Sequence, residues 1–291
     1  MTIAPPGRLY VVATPIGNLG DMSARARETL AACALIAAED TRHTGLLLKH
    51  FAIATPMVSL HDHNEERRAP ELVAKLRAGD NIALVSDAGT PAISDPGYDL
   101  VRACVSAGIE VVPIPGPCAL VAALSIAALP TDRFCFEGFL PARGAARRAR
   151  LAGLASEPRT LVFYESPHRV QDMLEDCAES FGGERPAVIA REITKLHESS
   201  YRGTLAALVA RALTEPEFGR GEIVLVVHGA PAAAGESGAD GHGGALDRVL
   251  EPLLAELPLK QAAHLAAKIA QVRDNEAYKR ALALKRAYGA S

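Results

Sequence analysis

Four turns rich in glycine, proline and small polar residues are the first candidates for a ligand site in this chain. They cover residues 14–21, 87–97, 113–117 and 165–169, and most follow a short apolar run. Glycine and proline leave backbone amides and carbonyls open to close approach by a ligand. The carbonyl oxygens suit a cationic sulfonium, and helix N-termini suit a carboxylate. Any one such turn is also explained as an ordinary strand-to-helix connection, so the prediction depends on the four together.

Ionisable residues cluster where three of the predicted strands end. Residues 38–43, 165–169 and 191–198 each combine acids with arginine, lysine or histidine. Such groups can orient a substrate or accept a proton. The alternatives are capped, solvated loops and structural ion pairs. The candidates for catalysis are Asp40, Arg42, Glu165, Arg169 and Lys195.

Two histidines, His61 and His63, raise the alternative of a metal site together with Asp40 and His43. Histidine and aspartate are common ligands of zinc and other transition metals. The spacing of these residues matches no recognised ligand motif. A helix N-cap at Asn64 with charged neighbours explains the same residues. We therefore expect no metal, and a metal-dependent hydrolase stays open only as the less favoured alternative.

One segment, residues 141–150, is sharply basic. Its arginines are Arg143, Arg147, Arg148 and Arg150. Guanidinium groups suit phosphate oxygens because they bind them through two parallel hydrogen bonds. A solvated helix start is the alternative, but positive charge near a helix N-terminus opposes the helix dipole. We therefore predict that these arginines contact phosphate groups.

The elements that position these residues alternate between strand and helix over the first 130 residues. Predicted strands cover residues 9–14, 35–38, 57–60, 82–86 and 110–114. Predicted helices cover residues 23–32, 64–78 and 98–107. Asn64 and Ser94 are the predicted N-caps, and Gly79 and Gly108 the predicted helix ends. Alternation of this kind predicts βαβ units and a mostly parallel sheet.

The second half mixes strands and helices differently. Predicted strands cover residues 134–139, 160–164, 187–191 and 223–227, and predicted helices cover residues 145–155, 169–180 and 205–212. Residues 197–202 are a further predicted strand, which would pair with residues 187–191 as an antiparallel hairpin. Residues 229–244 have the composition of a flexible linker. Residues 245–257 and 259–288 are predicted helices rich in lysine and arginine.

The predicted fold class is α/β, with a mostly parallel N-terminal sheet, a mixed C-terminal sheet and a small C-terminal helical module. The predicted divisions are an N-terminal α/β domain at 1–131, a C-terminal α/β domain at 132–230, a linker at 231–244 and the helical module at 245–291.

Composition limits the class of protein. At 291 residues, 49% of them hydrophobic and 22% charged, the chain can fold into one large or two modest globular domains. The formal net charge is −3, so a nucleic-acid partner has to be met by a local basic patch. Five widely spaced cysteines argue against disulfides and zinc and for a reducing compartment. With no signal peptide or membrane span visible, we expect no membrane partner and a cytoplasmic location.

Several segments together resemble a known family. They read LYVVATPIGNLGDMS, AEDTRHT, HDHNEERR, LVSDAGTPAISDPG, PIPGPCAL, LPTDRFCFEGFLP, FYESPHR, AREITKLHE and RGEIVLVV. In this combination, from about residue 9 to residue 227 and again in the C-terminal helices, the chain resembles the small-subunit ribosomal RNA methyltransferase I branch of the tetrapyrrole (precorrin-like) methylases. Two departures are Ala127 and Ala128, where serine and glycine are expected, and His228, where an acid is common. The first bears on helix packing near the cofactor.

The resemblance implies a two-domain tetrapyrrole-methylase-like fold with S-adenosyl-L-methionine in the cleft between its α/β domains. It implies methylation of the ribose 2′-hydroxyl of a cytidine in 16S ribosomal RNA, within the assembled 30S subunit, by a homodimer. The basic segment 141–150 and the C-terminal helices are the implied RNA-binding surfaces. Carried over by motif, the cofactor-binding residues are Pro15, Ala88, Gly89, Thr90, Ile93, Cys118, Ala119, Glu165 and Ile193.

Some alternatives remain open. A small-molecule tetrapyrrole methylase is the nearest, and the basic segment and basic C-terminal helices disfavour it. A catalytically silent RNA-binding protein that keeps the cleft is another. A 2′-hydroxyl is a weak acid, so a base can assist its methylation. Asp40, Glu165 and Lys195 are equal candidates for that base, with Arg42 and Arg169 holding phosphates or orienting the acids.

Overall fold

A computed structural model describes residues 5–215, 217–231, 243–270 and 272–288. The chain forms two compact units, residues 1–230 and residues 231–291. The first unit contains both sheets, and the second contains the C-terminal helices. The predicted linker, residues 231–244, lies largely outside the described residues, and its last two residues already belong to a helix.

The first sheet has five strands, all of them parallel, in the order β3-β2-β4-β1-β5. The strands are β1 (Leu9–Val12), β2 (Leu35–Ala38), β3 (Met57–Ser59), β4 (Ile82–Val85) and β5 (Val111–Ile114). Their apolar runs lack the alternation of a half-exposed strand because helices cover both faces of the sheet. The central strand β4 is buried along its whole length. The predicted parallel sheet is therefore confirmed.

Five helices belong to the first half of the chain. They are α1 (Ala24–Ala32), α2 (Thr41–His50), α3 (Glu65–Arg77), α4 (Tyr98–Ser106) and α5 (Ala119–Ile126). One face of the sheet packs against α3 and α4, and the opposite face packs against α1 and α2. The prediction missed α2 and α5 and found the other three.

The predicted N-cap at Ser94 is wrong, because α4 begins only at Tyr98. Ser94 has a left-handed backbone with φ of 66°, and Gly97 at the helix start has φ of 130°. The buried carboxylate of Glu65 caps this helix from α3 by accepting the amides of Gly97 at 3.2 Å and Leu100 at 2.9 Å. Capping from a distant acid replaces the local serine that the sequence suggested.

The second sheet has the strand order β6-β7-β10-β8-β9. Its strands are β6 (Phe134–Phe139), β7 (Thr160–Glu165), β8 (Pro186–Arg191), β9 (Ser199–Thr204) and β10 (Ile223–Val227). Only β6 and β7 are parallel, and β8 and β9 form the predicted antiparallel hairpin. The mixed sheet is thus confirmed.

Helices cover both faces of the second sheet as well. One face packs against α6 (Gly144–Leu154), α7 (Val170–Phe181) and α8 (Leu205–Thr214) around the buried Phe163 and Phe218. The other face packs against α5, through contacts of Leu120 and Leu124 with the sheet residues Val162, Val188 and Val224. Helix α5 follows the last strand of the first sheet, so it joins the two sheets into one unit.

The second unit is a cluster of three helices, α9 (Gly243–Glu256), α10 (Leu259–Ala270) and α11 (Asp274–Tyr288). Alanines of α10 and α11 pack with Leu246 and Leu250 of α9 in one core. The predicted helical segment 259–288 is divided into α10 and α11, because one straight helix could not turn both alanine faces into one core. Across the described ranges, no helix is long and apolar enough to cross a membrane.

Candidate active site

A cavity of about 360 Å³ lies where the carboxyl ends of β1, β2 and β4 meet the second sheet. Ligands of open α/β folds bind at this edge of the sheet. Residues of both halves of the chain line the cavity. Asp87 and Thr90 follow β4, Glu165 ends β7, and Ile193 follows β8. Turns that are far apart in the sequence therefore meet at one place.

The turn after β1 and the turn after β4 are joined through their backbones. Thr14 donates its amide to the carbonyl oxygen of Gly89 at 2.8 Å, and Gly89 donates back at 3.1 Å. Gly89 has φ of 86°, and a Cβ there would lie 3.2 Å from Cγ2 of Ile16. Thr90 extends the connection by donating its hydroxyl to the carbonyl of Pro117 at 3.1 Å. Three of the four predicted ligand turns are thus held together beside the cavity.

Eight of the nine residues predicted to bind the cofactor line this cavity. They are Ala88, Gly89, Thr90, Ile93, Cys118, Ala119, Glu165 and Ile193. The exception is Pro15, which is buried, whereas its neighbour Ile16 lies on the cavity wall. Aromatic rings add to the wall, because Phe139 and Tyr164 pack edge to face with their centroids 5.7 Å apart. The Tyr164 hydroxyl accepts the Leu120 amide at 3.0 Å and thereby holds the start of α5.

Three carboxylates, Glu39, Asp87 and Asp95, form an acidic part of the wall. They belong to the candidate segments 38–43 and 87–97, but the sequence analysis did not single them out. Asp87 donates its amide to Glu39 Oε2 at 3.3 Å and accepts the Asp40 amide on Oδ1 at 3.0 Å. Burial raises the pKa of Asp95 to about 6, and the charges of Glu39 and Asp87 act in the same direction. Burial also raises the pKa of Glu39. The signal available in the sequence for Glu39 and Asp87 was their place just after β2 and β4, and for Asp95 its place in the turn 87–97.

Asp40 lies next to this wall but not on it. Its carboxylate caps α2 by accepting the Arg42 amide at 2.8 Å, and it pairs with the exposed Arg42 guanidinium at 2.7 Å. The hydrogen bonds from Arg42 hold the pKa of Asp40 well below its usual range. A carboxylate so easily ionised is a weak base. Asp40 is therefore a weaker candidate for the proton acceptor than the carboxylates that line the cavity.

Glu165 ends β7 and is buried on the cavity wall. Its Oε1 accepts the Ser166 amide at 2.7 Å and the Ser166 hydroxyl at 3.2 Å. Its Oε2 lies 3.1 Å from Arg169 Nη2, but this contact is not aligned as a hydrogen bond, and the oxygen has no hydrogen-bond partner within the described part of the chain. Arg169 donates instead to the carbonyl of Leu140 at 2.6 Å. A buried acceptor is thus left for a ligand.

Lys195 does not line the cavity but holds the loop that does. Its ammonium lies 3.0 Å from Glu192 and 3.1 Å from Glu222. Burial alone would lower the pKa of Lys195, but its hydrogen bonds to the two glutamates raise it overall. Its side chain crosses Gly17, where a Cβ would lie 2.4 Å from Lys195 Cγ. The structure therefore argues for a protonated, positioning lysine rather than the predicted base.

The basic segment requires a correction at Arg147. This side chain is only 5% exposed, and its Nε donates to the buried Asp176 at 2.6 Å. The guanidinium holds α6 on α7 and is not available to phosphate.

The other three arginines of the segment are exposed. Arg148 lies 3.3 Å from Asp176, and Arg150 pairs with Glu137. Arg143 has no ion-pair partner within the described ranges. Arg143 is therefore the arginine of this segment that is most open to an external phosphate.

The histidines lie in a tight turn before α3. The His61 and His63 rings are 6.0 Å apart, and Asn64 accepts the His61 amide at 3.0 Å. Asn64 precedes the helix as predicted, but its side chain makes no bond to a helix amide. Among the described residues, no group of three or more histidines, cysteines and acids is arranged to hold a metal ion.

Comparison with known proteins places this geometry in a family. Residues 8–209 match the sequence profile of the Tetrapyrrole (Corrin/Porphyrin) Methylases, and residues 240–285 match that of the RsmI C-terminal HTH domain. The chain is 55% identical to "Ribosomal RNA small subunit methyltransferase I" of Escherichia coli O157:H7 over 95% of each chain. It is 53% identical to the protein of the same name from Pseudomonas aeruginosa, over 95% of this chain and 97% of that one.

A solved structure shows the same fold. A uroporphyrin-III C-methyl transferase from Thermus thermophilus, in complex with S-adenyl homocysteine, is 19% identical and has a TM-score of 0.52. The match covers 76% of this chain and 97% of that one. The chain therefore belongs to the tetrapyrrole (corrin/porphyrin) methylase family, in its ribosomal RNA small subunit methyltransferase I branch.

Proposed function

We propose that this protein methylates the ribose 2′-hydroxyl of a cytidine in 16S ribosomal RNA, with S-adenosyl-L-methionine as the methyl donor. The observation that carries the proposal is the cavity where the linked turns after β1 and β4 meet Glu165 and Ile193 of the second sheet. The relatives at 55% and 53% identity are named for methylation of small-subunit ribosomal RNA. When bound, the cofactor supplies a methyl group carried on a cationic sulfonium.

The wall of the cavity fits such a cofactor. Acidic side chains and backbone carbonyls favour a positively charged ligand, and Glu39, Asp87 and Asp95 supply the acids. The buried Glu165 oxygen that lacks a hydrogen bond can accept one from a ligand hydroxyl. Because Gly89 has no side chain, the turns after β1 and β4 can lie close together at the cavity wall. The same residues position the methyl donor and the ribose hydroxyl. Holding two substrates in the reactive geometry accounts for much of the acceleration of a bimolecular reaction.

A carboxylate on the cavity wall accepts the proton of the ribose 2′-hydroxyl. A base acts best when its pKa lies near the working pH. Asp95 lines the cavity, and its pKa is raised to about 6, whereas the pKa of Asp40 is lowered by Arg42 and Lys195 is protonated. We therefore propose that Asp95 accepts the proton and that Glu165 orients the ligand. Arg42 and Arg169 remain proposed to orient the acids or hold phosphates.

The remaining parts of the proposal concern partners and organisation. We propose that the substrate is the assembled 30S subunit, that Arg143, Arg148 and Arg150 contact its phosphates, and that the protein works as a homodimer in the cytoplasm. The proposed domain boundary at 131/132 separates two halves that each carry a five-stranded sheet. Sedimentation equilibrium of the purified protein tests the dimer, and a monomer at micromolar concentration would contradict it.

The decisive experiment offers the purified protein labelled cofactor with one of three acceptors. These are 30S subunits from cells that lack the protein, the deproteinised 16S RNA of those subunits, and a precorrin. We expect label in the 30S subunits, at a single cytidine that becomes resistant to alkaline cleavage. Label in the precorrin alone would identify a small-molecule methylase. Cofactor binding without transfer to any acceptor would identify a silent RNA-binding protein.

A further inference from the structure

The second unit has a groove of its own between α10 and α11. The residues that line it are Lys260, Gln261, Ala263 and His264 from α10, and Asp274, Asn275 and Tyr278 from α11. Each set occupies one face of its helix, because residues three or four positions apart lie side by side on a helix. The groove is thus a built feature of two helices that share one alanine core.

The side chains of the groove suit a flat, polar ligand. Tyr278 is 42% exposed, whereas other apolar residues of α11, such as Ala277 and Ala281, pack into the core. His264 Nδ1 lies 3.3 Å from Asp274 Oδ2, which orients the imidazole. Gln261 and Asn275 carry amides, each of which can both donate and accept hydrogen bonds. An aromatic face beside such amides is the combination that binds unstacked nucleobases in RNA.

The second unit carries cations that suit an anionic partner, whereas the acid in the groove, Asp274, lies against His264. Arg280 is held by Asp247, with Nε 2.6 Å from Oδ1. By contrast, within the described part of the unit, several cations have no ion-pair partner. They are Lys260, Lys268, Arg273, Lys279 and Lys285. Unpaired cations attract phosphates, and Lys260 brings one of them into the groove itself.

We propose that the groove between α10 and α11 binds a single unstacked nucleotide of the RNA substrate. The base stacks on Tyr278, the amides of Gln261 and Asn275 bond to its edge, and Lys260 pairs with its phosphate. The assignment rests on the proposed function, because it requires an RNA substrate. It adds a contact separate from the methyl-transfer cavity, through which the second unit recognises single-stranded RNA rather than a duplex.

The absence of tryptophan from the chain allows a direct test. Tyr278→Trp in the full-length protein becomes the only tryptophan, and a stacked base quenches indole fluorescence. The probes are a mixed-sequence single-stranded RNA dodecamer and a dodecamer of the same length whose central nucleotides lack bases. We expect strong quenching by the first and little by the second. The control is Tyr98→Trp, which replaces an exposed tyrosine of α4 in the first unit and should not be quenched.

Transfer assays with 30S subunits separate this inference from the proposed function. We expect Tyr278→Ala to raise the KM for 30S subunits about tenfold, since stacking on an aromatic ring strengthens binding by roughly that factor or more. Tyr278→Phe should retain the wild-type KM, and kcat should not change. Equal quenching by both dodecamers, or methylation by Tyr278→Ala at the wild-type KM, would overturn the groove assignment while leaving the methylation itself intact. If wild-type protein transfers no methyl group to 30S subunits but Tyr278→Trp is still quenched by intact RNA alone, the proposed function fails and the groove stands.

Discussion

Thr14 and Gly89 exchange two backbone hydrogen bonds, at 2.8 and 3.1 Å, although they lie 75 positions apart in the sequence. The pair is an isolated antiparallel bridge beyond the ends of the parallel strands β1 and β4. It holds the two turns that form one side of the cavity. The shape of the proposed cofactor site therefore depends on backbone atoms, and a side chain added at Gly89 changes it directly.

We expect Gly89→Ala to weaken binding of S-adenosyl-L-methionine about tenfold or more. The new Cβ would lie 3.2 Å from Ile16 Cγ2, in a backbone with φ of 86°. Gly108→Ala is the matched control, because Gly108 has φ of 70° and its Cβ would have no neighbour within 4 Å. Both variants should lose about 1 kcal/mol of stability from the left-handed backbone. Isothermal titration with the cofactor distinguishes them, and equal affinities would contradict the role of Gly89.

Arg147→Ala should lower the free energy of unfolding by up to about 3–5 kcal/mol, because it leaves the buried Asp176 carboxylate with only the longer contact to Arg148, at 3.3 Å. The Arg147 and Asp176 side chains are only 5% and 9% exposed. Arg143→Ala should change stability by less than about 0.5 kcal/mol, as for most surface positions. Urea denaturation measures both. A small loss in Arg147→Ala would show that the pair contributes little.

The Arg143→Ala variant also tests the contribution of this residue to RNA binding. Arg143→Ala should reduce the slope of log affinity against log salt by about one, since one fewer phosphate is neutralised. The assay is filter binding of 30S subunits between low and moderate salt. An unchanged slope in Arg143→Ala would remove that residue from the proposed RNA surface.

Asp95 should make stability depend on pH in the weakly acidic range. Its folded pKa of about 6 lies above the value near 3.9 of an unfolded aspartate. The folded state therefore favours the protonated carboxyl. The resulting contribution to folding stability is fully present below about pH 4 and is lost as the pH rises through 6. Asp95→Asn should be more stable than wild type at pH 8, by up to roughly 3 kcal/mol, and the difference should shrink towards pH 4. A difference that stays constant over this range would contradict the raised pKa.

Single-turnover rates decide between Asp40 and Asp95 as the proton acceptor. Asp95→Asn should slow methyl transfer about 100-fold or more, the usual loss when a general base is removed. Asp40→Asn should stay within about twofold of wild type, because asparagine also caps a helix and Asp40 does not line the cavity. Rapid-quench measurements with saturating 30S subunits give both rates. A large loss in Asp40→Asn with normal Asp95→Asn would restore Asp40 to the role first predicted for it.

Much of the architecture could be predicted from the sequence because its signals are local. The predicted strands match all ten observed strands to within about two residues, and most of them were marked by short apolar runs. The polar strand β9 was predicted as the partner of β8 in a hairpin. The residues carried over by motif resemblance also lie on the cavity wall, except Pro15. Helix α2 was missed because it follows two acids and opens on Arg42 and His43, which together resemble a solvated loop until the side chain of Asp40 is seen to cap it.

What the sequence by itself determined is the order and type of most elements, and the family to which their turns belong. Only the tertiary structure decided which charged groups are free to act. Arg147 is buried because Asp176, 29 positions away, lies opposite it. Asp95 has a raised pKa because it is buried and because acids that include Glu39 and Asp62, from other turns, act on it. Charge and burial depend on neighbours that are distant in the chain, so no local pattern carries them.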